Sequence, residues 1–190
     1  MLELFLKSLP AFGKGILITL EITIFALIFA TVIGLVVGLI NIGKNKIFKA
    51  IAKIYIDLVR GTPLIVQAFF LYFGMTGALK FQIRPEVAGI IVISLNAGAY
   101  MAEIFRGGIQ CIDVGQMEAA SSLGLPYSKA MIKVILPQAF KNMIPSILNQ
   151  FIVTLKDTSI LTVISIRELT SAGQIIIARN FKSLEMYAIV

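Results

Sequence analysis

Asn96, Tyr100 and Glu103 could form a polar stripe along one membrane-embedded helix. Their spacing of i, i+4 and i+7 places them within about 60° of arc on an α-helix. Polar and charged groups are costly in lipid, so such a stripe faces a bundle interior or a cavity. Two interpretations stay open: these side chains contact a ligand, or they join neighbouring helices through hydrogen bonds.

A second polar stripe, of Gln150, Thr154 and Asp157, lies on a later apolar segment, and Gln67 is the amide side chain of another. If both stripes face one cavity, that cavity holds carboxylates, amides, hydroxyls and one phenol. Desolvated carboxylates stay charged only beside a cation. The set therefore suits a small polar ligand with an ammonium or guanidinium group. Asp157 has an alternative interpretation as a solvated or salt-bridged helix end.

The same residues do not indicate an enzyme. The chain has no His, so His general bases and His metal sites are excluded, and the single Cys111 excludes a Cys-cluster metal site. The short run GKG at 13–15 lacks the spacing of a phosphate-binding loop. Glu103 and Asp157 lack any local motif that would support an intramembrane carboxylate dyad. We therefore predict no catalytic residues, no metal site and no cofactor in this chain.

The composition places the chain in a membrane. Hydrophobic residues make up 58% of its 190 residues, charged residues only 14%, and the mean hydropathy is +0.93. A soluble domain carries roughly 25% charged residues. The net charge is +7, and the basic residues lie mostly beside apolar segments. This distribution favours anionic lipid headgroups over nucleic acid as the partner of the basic residues.

The apolar segments predict a single all-α, multi-pass membrane domain over residues 1–190. The predicted spans cover about 16–40, 63–79, 86–105 and 138–155, and a fifth begins at 184 and is cut off at Val190. Residues 2–12 carry apolar side chains on one helical face and predict a separate interfacial helix.

Two local patterns add detail to this domain. Ala30, Gly34 and Gly38 form a ridge of small residues that predicts close helix packing. Ser165 and Glu168 predict a capping box that opens a helix to about Arg179.

The basic residues predict the orientation of the chain. The segment 42–60 follows the first span and has five basic side chains, at Lys44, Lys46, Lys49, Lys53 and Arg60. Such clusters favour the cytoplasmic side. The polar segment at 113–137 then lies on that side as well, because two predicted spans separate the segments. The N-terminus is expected to be extracytoplasmic.

The segment Asp113–Pro137 predicts two short helices separated by a turn. Asp113 is a plausible N-cap, Gly124 suits the left-handed conformation that ends a helix, and Pro126 cannot continue it. The second helix is expected from about Tyr127 to Ile135, before Pro137 opens an apolar segment. We call the segment 113–137 the knob, and we expect such a surface element to dock onto a partner.

The knob resembles the EAA loop of bacterial ABC importer permeases. The matching residues, at the family's spacing, are Glu118, Ala119, Ala120, Gly124, Val134, Leu136 and Pro137. Val134 replaces the commoner Ile of the pattern. RGTPLIVQAFFLYFG (60–74), NAGAYMAEIFRGGI (96–109) and TLKDTSI (154–160) resemble the polar amino acid uptake subfamily.

The resemblance implies an all-α ABC type I importer transmembrane fold with five spans per chain, in the bacterial plasma membrane. It implies a dimer with a second copy or a related permease chain, and delivery of the amino acid by an extracytoplasmic binding protein. It further implies that the knob docks on a separate ATPase subunit, which binds ATP and Mg²⁺. In that assignment Glu118, Ala119, Ala120, Gly124, Leu136 and Pro137 form the contact.

The leading hypothesis is thus a permease subunit that imports polar amino acids, with basic ones such as arginine favoured by Glu103 and Asp157. Its substrate-binding candidates are Gln67, Asn96, Tyr100, Glu103, Gln150, Thr154 and Asp157. The alternative is an ATP-independent channel or secondary amino acid carrier, which would need no docking knob. A membrane enzyme is a third and weaker hypothesis.

Overall fold

The structure is a computed structural model, and it describes residues 2–80 and 82–190 as a bundle of helices connected by short turns. The predicted all-α fold class is confirmed. The α-helices are α1 (Leu2–Ile42), α2 (Lys46–Gly61), α3 (Leu64–Phe69), α4 (Thr76–Leu79), α5 (Pro85–Gln110), α6 (Val114–Ser122), α7 (Tyr127–Ala130), α8 (Leu136–Asp157), α9 (Leu169–Asn180) and α10 (Ser183–Tyr187). Two π-helical turns, Phe70–Met75 and Met131–Ile135, and a 3₁₀ segment, Thr158–Ile164, link some of them.

Three stretches of the described chain are long and apolar enough to cross a membrane: Leu4–Ile42, Pro85–Gln110 and Tyr127–Ile164. A fourth crossing is reached if the pair Lys46–Gly61 and Leu64–Ala78, bent by 107°, counts as one span. Most of the basic segment 42–60 lies in helix α2. The crossing expected from residue 184 corresponds to the short helix α10 and stays a prediction.

The predicted separate interfacial helix at 2–12 is wrong, because α1 runs unbroken from Leu2 to Ile42. Tertiary packing holds the helix together past Gly13 and Gly15. Phe12 is buried in a cluster with Ala172 of α9 and Met186 of α10. A Cβ atom added at Gly15 would lie 2.9 Å from the Cα atom of Leu169, so the two helices nearly touch there.

The predicted ridge of small residues is confirmed as the seam between α1 and α5. Ala30 is fully buried. A Cβ atom added at Gly34 would lie 2.4 Å from Cβ of Met101, and one at Gly38 would lie 2.9 Å from the carbonyl oxygen of Ala102. This close approach fixes the position of α5, which carries the first polar stripe.

The second helix of the knob does not end before Pro137. The helical path starts at Tyr127, as predicted, but continues through the π-helical turn Met131–Ile135 into α8. Proline lacks the N–H group that an α-helix interior needs. A π-helical turn directly before it is a typical place where the hydrogen-bond ladder adjusts.

The predicted capping box at Ser165 is also wrong, because Glu168 itself is the N-cap of α9. Its buried carboxylate accepts hydrogen bonds from the backbone N–H groups of Thr170 (2.9 Å) and Ser171 (2.6 Å) and from the hydroxyl of Thr162 (2.9 Å). Ser165 instead has a left-handed backbone conformation, with φ of 69°, and ends the 3₁₀ segment.

Candidate functional site

The first polar stripe lies against the bend between α2 and α3. The side-chain nitrogen of Asn96 donates a hydrogen bond of 3.1 Å to Oε1 of Gln67. The side-chain nitrogen of Gln67 donates in turn to the carbonyl oxygens of Val59 (2.7 Å) and Thr62 (3.0 Å). These amides therefore join α5 to the bend, as the interhelical interpretation expects. Their contact with a substrate stays a prediction.

Glu103 lies between two guanidinium groups. Its carboxylate receives two hydrogen bonds from Arg106, at 2.6 and 2.9 Å, and lies 3.8 Å from Nη1 of Arg60. Asn41 of α1 adds a longer hydrogen bond of 3.4 Å. Arg60 also stands over the ring of Tyr100, 5.1 Å from its centroid, where cation–π attraction operates. The negative charge of Glu103 is thus already neutralised within the protein.

The local sequence explains how Arg60 reaches this position. Asn45 caps α2 by accepting a hydrogen bond from the N–H group of Ile47 (3.0 Å). Along α2 the side chains of Ala52, Ile56 and Val59 are buried, which orients the helix against the bundle. Tyr55 strengthens this contact by donating a hydrogen bond of 2.6 Å to the carbonyl oxygen of Leu95 on α5.

Glu103 borders a polar cavity of about 290 Å³ between α1, α2 and α5. Its charged and amide lining residues are Asn41, Lys49, Lys53, Asp57, Arg60, Glu103, Arg106 and Gln110. Apart from Glu103, none of these residues was predicted from the sequence to belong to a site. Two spacings could have indicated them. Four of the five charged residues of α2 line the cavity and follow at i, i+4, i+8 and i+11, and Arg106 lies three residues after Glu103.

The second polar stripe lies elsewhere. Gln150 and Thr154 are buried on α8 and are 3.4 Å apart, with the Gln150 amide donating to the Thr154 hydroxyl. Asp157 is half-buried at the end of α8, and no cation lies within 4.0 Å of its carboxylate among the described residues. None of the three lines the polar cavity at Glu103. That cavity does not combine the two stripes.

The knob has the turn that its sequence predicts. Asp113 caps α6 by accepting a hydrogen bond of 2.7 Å from the N–H group of Gly115. Gly124 has φ of +80°, and Leu125 and Gly124 donate to the carbonyl oxygens of Ala120 and Ser121. This pair of bonds is a Schellman motif, which ends a helix with a left-handed glycine.

The surface of the knob combines a charged side chain with exposed apolar ones. Glu118 and Ala119 are exposed, whereas Ala120 is buried beneath them. Val114, Leu123 and Tyr127 are exposed by 71%, 83% and 64% around this helix. Leu136 is half-buried and Pro137 is exposed. Exposed apolar side chains on an element outside the membrane spans make it a candidate interaction surface.

A family model described as the inner membrane component of binding-protein-dependent transport systems matches residues 7–190. The chain belongs to this permease family. The resemblance drawn from the knob is therefore confirmed, and the protein is a multi-pass membrane permease of the amino acid ABC transporters.

The arginine transport system permease protein ArtQ of Bacillus subtilis (strain 168) is 40% identical over 161 residues, which cover 85% of this permease and 74% of ArtQ. The glutamine transport system permease protein GlnP of Escherichia coli (strain K12) is 40% identical over 184 residues, which cover 96% of this permease and 84% of GlnP. Equal identity to relatives named for arginine and for glutamine does not distinguish the two substrates.

Solved structures show the same fold. The crystal structure of an amino acid ABC transporter with histidines superposes with a TM-score of 0.92 at 39% identity and covers 97% of this permease and 86% of that chain. The MetNI methionine ABC transporter in an inward-facing conformation superposes with a TM-score of 0.78 at 19% identity. This match covers 94% of this permease and 86% of the MetNI chain. The permease has the type I importer transmembrane fold.

Proposed function

We propose that this permease is the membrane subunit of an ATP-driven importer of polar amino acids, and that its knob transmits the driving force. The observation that carries the proposal is the exposed helix α6, on which Glu118 stands among uncovered apolar side chains. A separate ATPase subunit, which binds ATP and Mg²⁺, covers this surface. Ala119 permits close approach, and Glu118 offers a charge to the partner.

The remaining partners follow from the same assignment. A second permease chain, identical or related, completes the pathway, because one chain contributes at most four crossings within its described residues. An extracytoplasmic binding protein delivers the amino acid. The knob and the basic helix α2 face the cytoplasm, which places the start of α1 on the outer side. The membrane is the bacterial plasma membrane.

For the substrate, we propose a polar amino acid with a preference for basic side chains such as that of arginine. Asp157 supports this preference better than Glu103 does. Glu103 is neutralised by Arg60 and Arg106, so a cationic ligand would have to displace two guanidinium groups. The half-buried Asp157 has no such partner within 4.0 Å among the described residues. Gln67, Asn96, Tyr100, Gln150 and Thr154 remain candidates for polar contacts.

Uptake by the reconstituted complex tests the proposed function. Proteoliposomes that hold the permease with its ATPase and receive the binding protein should accumulate arginine or glutamine only when ATP is present. The control uses the same vesicles with a non-hydrolysable ATP analogue. Equal accumulation without ATP would favour the secondary carrier or channel, and the proposal would be abandoned.

The variant Asp157→Asn should lower the ratio of arginine to glutamine uptake about tenfold, which corresponds to about 1.4 kcal/mol of lost interaction. The matched variant Glu103→Gln should reduce both rates by the same factor, since its charge is already neutralised. Competitive uptake of the two labelled amino acids measures both ratios. A changed ratio in Glu103→Gln with an unchanged ratio in Asp157→Asn would reverse the assignment.

A further inference from the structure

We infer that a groove between α1 and α9, away from the polar cavity and the knob, binds the headgroup of an anionic phospholipid. The cavity in this groove has a volume of about 290 Å³. Its cationic lining residues are Lys14 of α1, Arg167 just before α9 and Arg179 near the end of α9. We call this feature the α1–α9 groove. Lipid binding at this groove does not require any particular transported amino acid.

Within the part of the chain that the structure describes, the three cations of the groove have no anionic partner. Lys14, Arg167 and Arg179 form no salt bridge within 4.0 Å among the described residues, and no carboxylate lines the groove. The nearby carboxylate of Glu168 is already bound by Thr162, Thr170 and Ser171. Arg60 and Arg106, by contrast, both pair with the carboxylate of Glu103. Positive charges around one small cavity repel each other, and an anion relieves that repulsion.

The remainder of the groove is apolar. Ile18, Ile175 and Ile176 line it beside the three cations. The neighbouring surface of α1 exposes Ile16 by 43% and Leu17 by 67%, as expected of side chains that face lipid tails. A free anion would interact only with the cations. An amphiphile would pair its headgroup with the cations and pack its tails against the apolar side chains. Basic pockets between membrane helices bind acidic lipid headgroups in this way on the cytoplasmic side of membranes, and the same pairing of charges is available in this groove.

The chemistry of the side chains specifies the headgroup. Two arginines and one lysine offer forked and point-like donors to phosphate oxygens, with charge-assisted hydrogen bonds. A zwitterionic headgroup would bring a competing ammonium group next to these cations. We therefore assign the groove to an anionic phospholipid such as phosphatidylglycerol rather than to phosphatidylethanolamine.

Native mass spectrometry of the delipidated, detergent-solubilised permease tests the assignment. Phosphatidylglycerol and phosphatidylethanolamine with identical acyl chains are supplied at equal concentration. We expect phosphatidylglycerol to be retained about tenfold more, equivalent to about 1.4 kcal/mol. The triple variant Lys14→Gln, Arg167→Gln, Arg179→Gln should reduce this preference to parity. Retention of the preference in that variant would overturn the inference.

A second variant with the same loss of charge is the control. Lys46, Lys141 and Lys182 are exposed and do not line the groove, so their replacement by glutamine should leave the lipid preference unchanged. If the triple variant does not fold, the single variants Arg167→Gln and Arg179→Gln should each reduce the preference for phosphatidylglycerol in part. Displacement of the lipid by inorganic phosphate would indicate an anion site and contradict a lipid site. If the triple variant keeps its lipid but no longer associates with the binding protein, the groove binds an acidic protein surface and the lipid assignment is wrong.

Discussion

Replacing Glu118 with arginine and Gly124 with leucine in the same chain is expected to abolish ATP-driven uptake or to prevent association with the ATPase. The first change reverses the charge at the centre of the exposed face of α6. The second places a branched side chain at φ of +80°, a backbone conformation that costs an L-residue roughly 1–2 kcal/mol. The Schellman turn would open, and the direction of the chain after α6 would change.

Copurification of the ATPase and its stimulation by substrate-loaded binding protein measure this effect. Because Gly124 lies at an exposed turn with no other group within 4 Å of an added Cβ atom, the membrane helices should remain folded.

The variant Gly124→Asn is the conservative comparison, since asparagine tolerates left-handed conformations, and it should retain most of the coupling. Glu86→Arg reverses a charge at the far end of α5 and should be nearly neutral. Normal stimulation in the Glu118→Arg, Gly124→Leu chain would refute the docking role of the knob.

The largest loss of stability is expected from Gly34. Even the single methyl group of Gly34→Ala would lie 2.4 Å from Cβ of Met101 and 3.1 Å from the backbone nitrogen of Ala102. Side chains and backbone of α5 would have to move, and overpacking of this kind typically costs roughly 1–3 kcal/mol. Gly34→Leu should separate α1 from α5 and prevent the polar stripe from meeting the α2–α3 bend.

Gly13 provides a matched control in the same helix. A Cβ atom added there meets nothing within 4 Å, so Gly13→Ala should preserve or slightly raise stability through its better helix propensity. Thermal unfolding in detergent and the monodisperse fraction after size exclusion compare the four variants at the two positions. Equal midpoints for Gly34→Leu and Gly13→Leu would show that the α1–α5 seam tolerates separation.

Features of this permease that depend on neighbours in sequence were predictable. The cap at Asp113 and the left-handed turn at Gly124 follow from local hydrogen bonding and from the lack of a Cβ atom. The ridge at Gly34 follows from helical periodicity, because residues four apart share a face.

Features that depend on distant contacts were not predictable. Glu103 was expected to hold a ligand cation, but Arg60, which lies 43 positions earlier, and Asn41, which lies 62 positions earlier, reach the same carboxylate. The sequence pattern does not specify which helices bring them there. Likewise, α1 continues through Gly13 because α9 and α10 bury Phe12, a contact between the two ends of the described chain. The shift of the cap from Ser165 to Glu168 is a choice between two chemically suitable residues one turn apart.

The unbroken helical path from Tyr127 to Ile164 has a mechanical consequence. This path forms a lever on the order of 50 Å long, which is stiffest along the regular α-helical turns of α8. The first residues of the lever belong to the knob, where the tight turn at Gly124 joins them directly to α6. The helix bends most easily at the π-helical turn Met131–Ile135 and at Pro145, where the regular backbone hydrogen bonds are interrupted. We therefore expect a displacement of α6 to tilt the far end of α8, with pivots at these two irregularities.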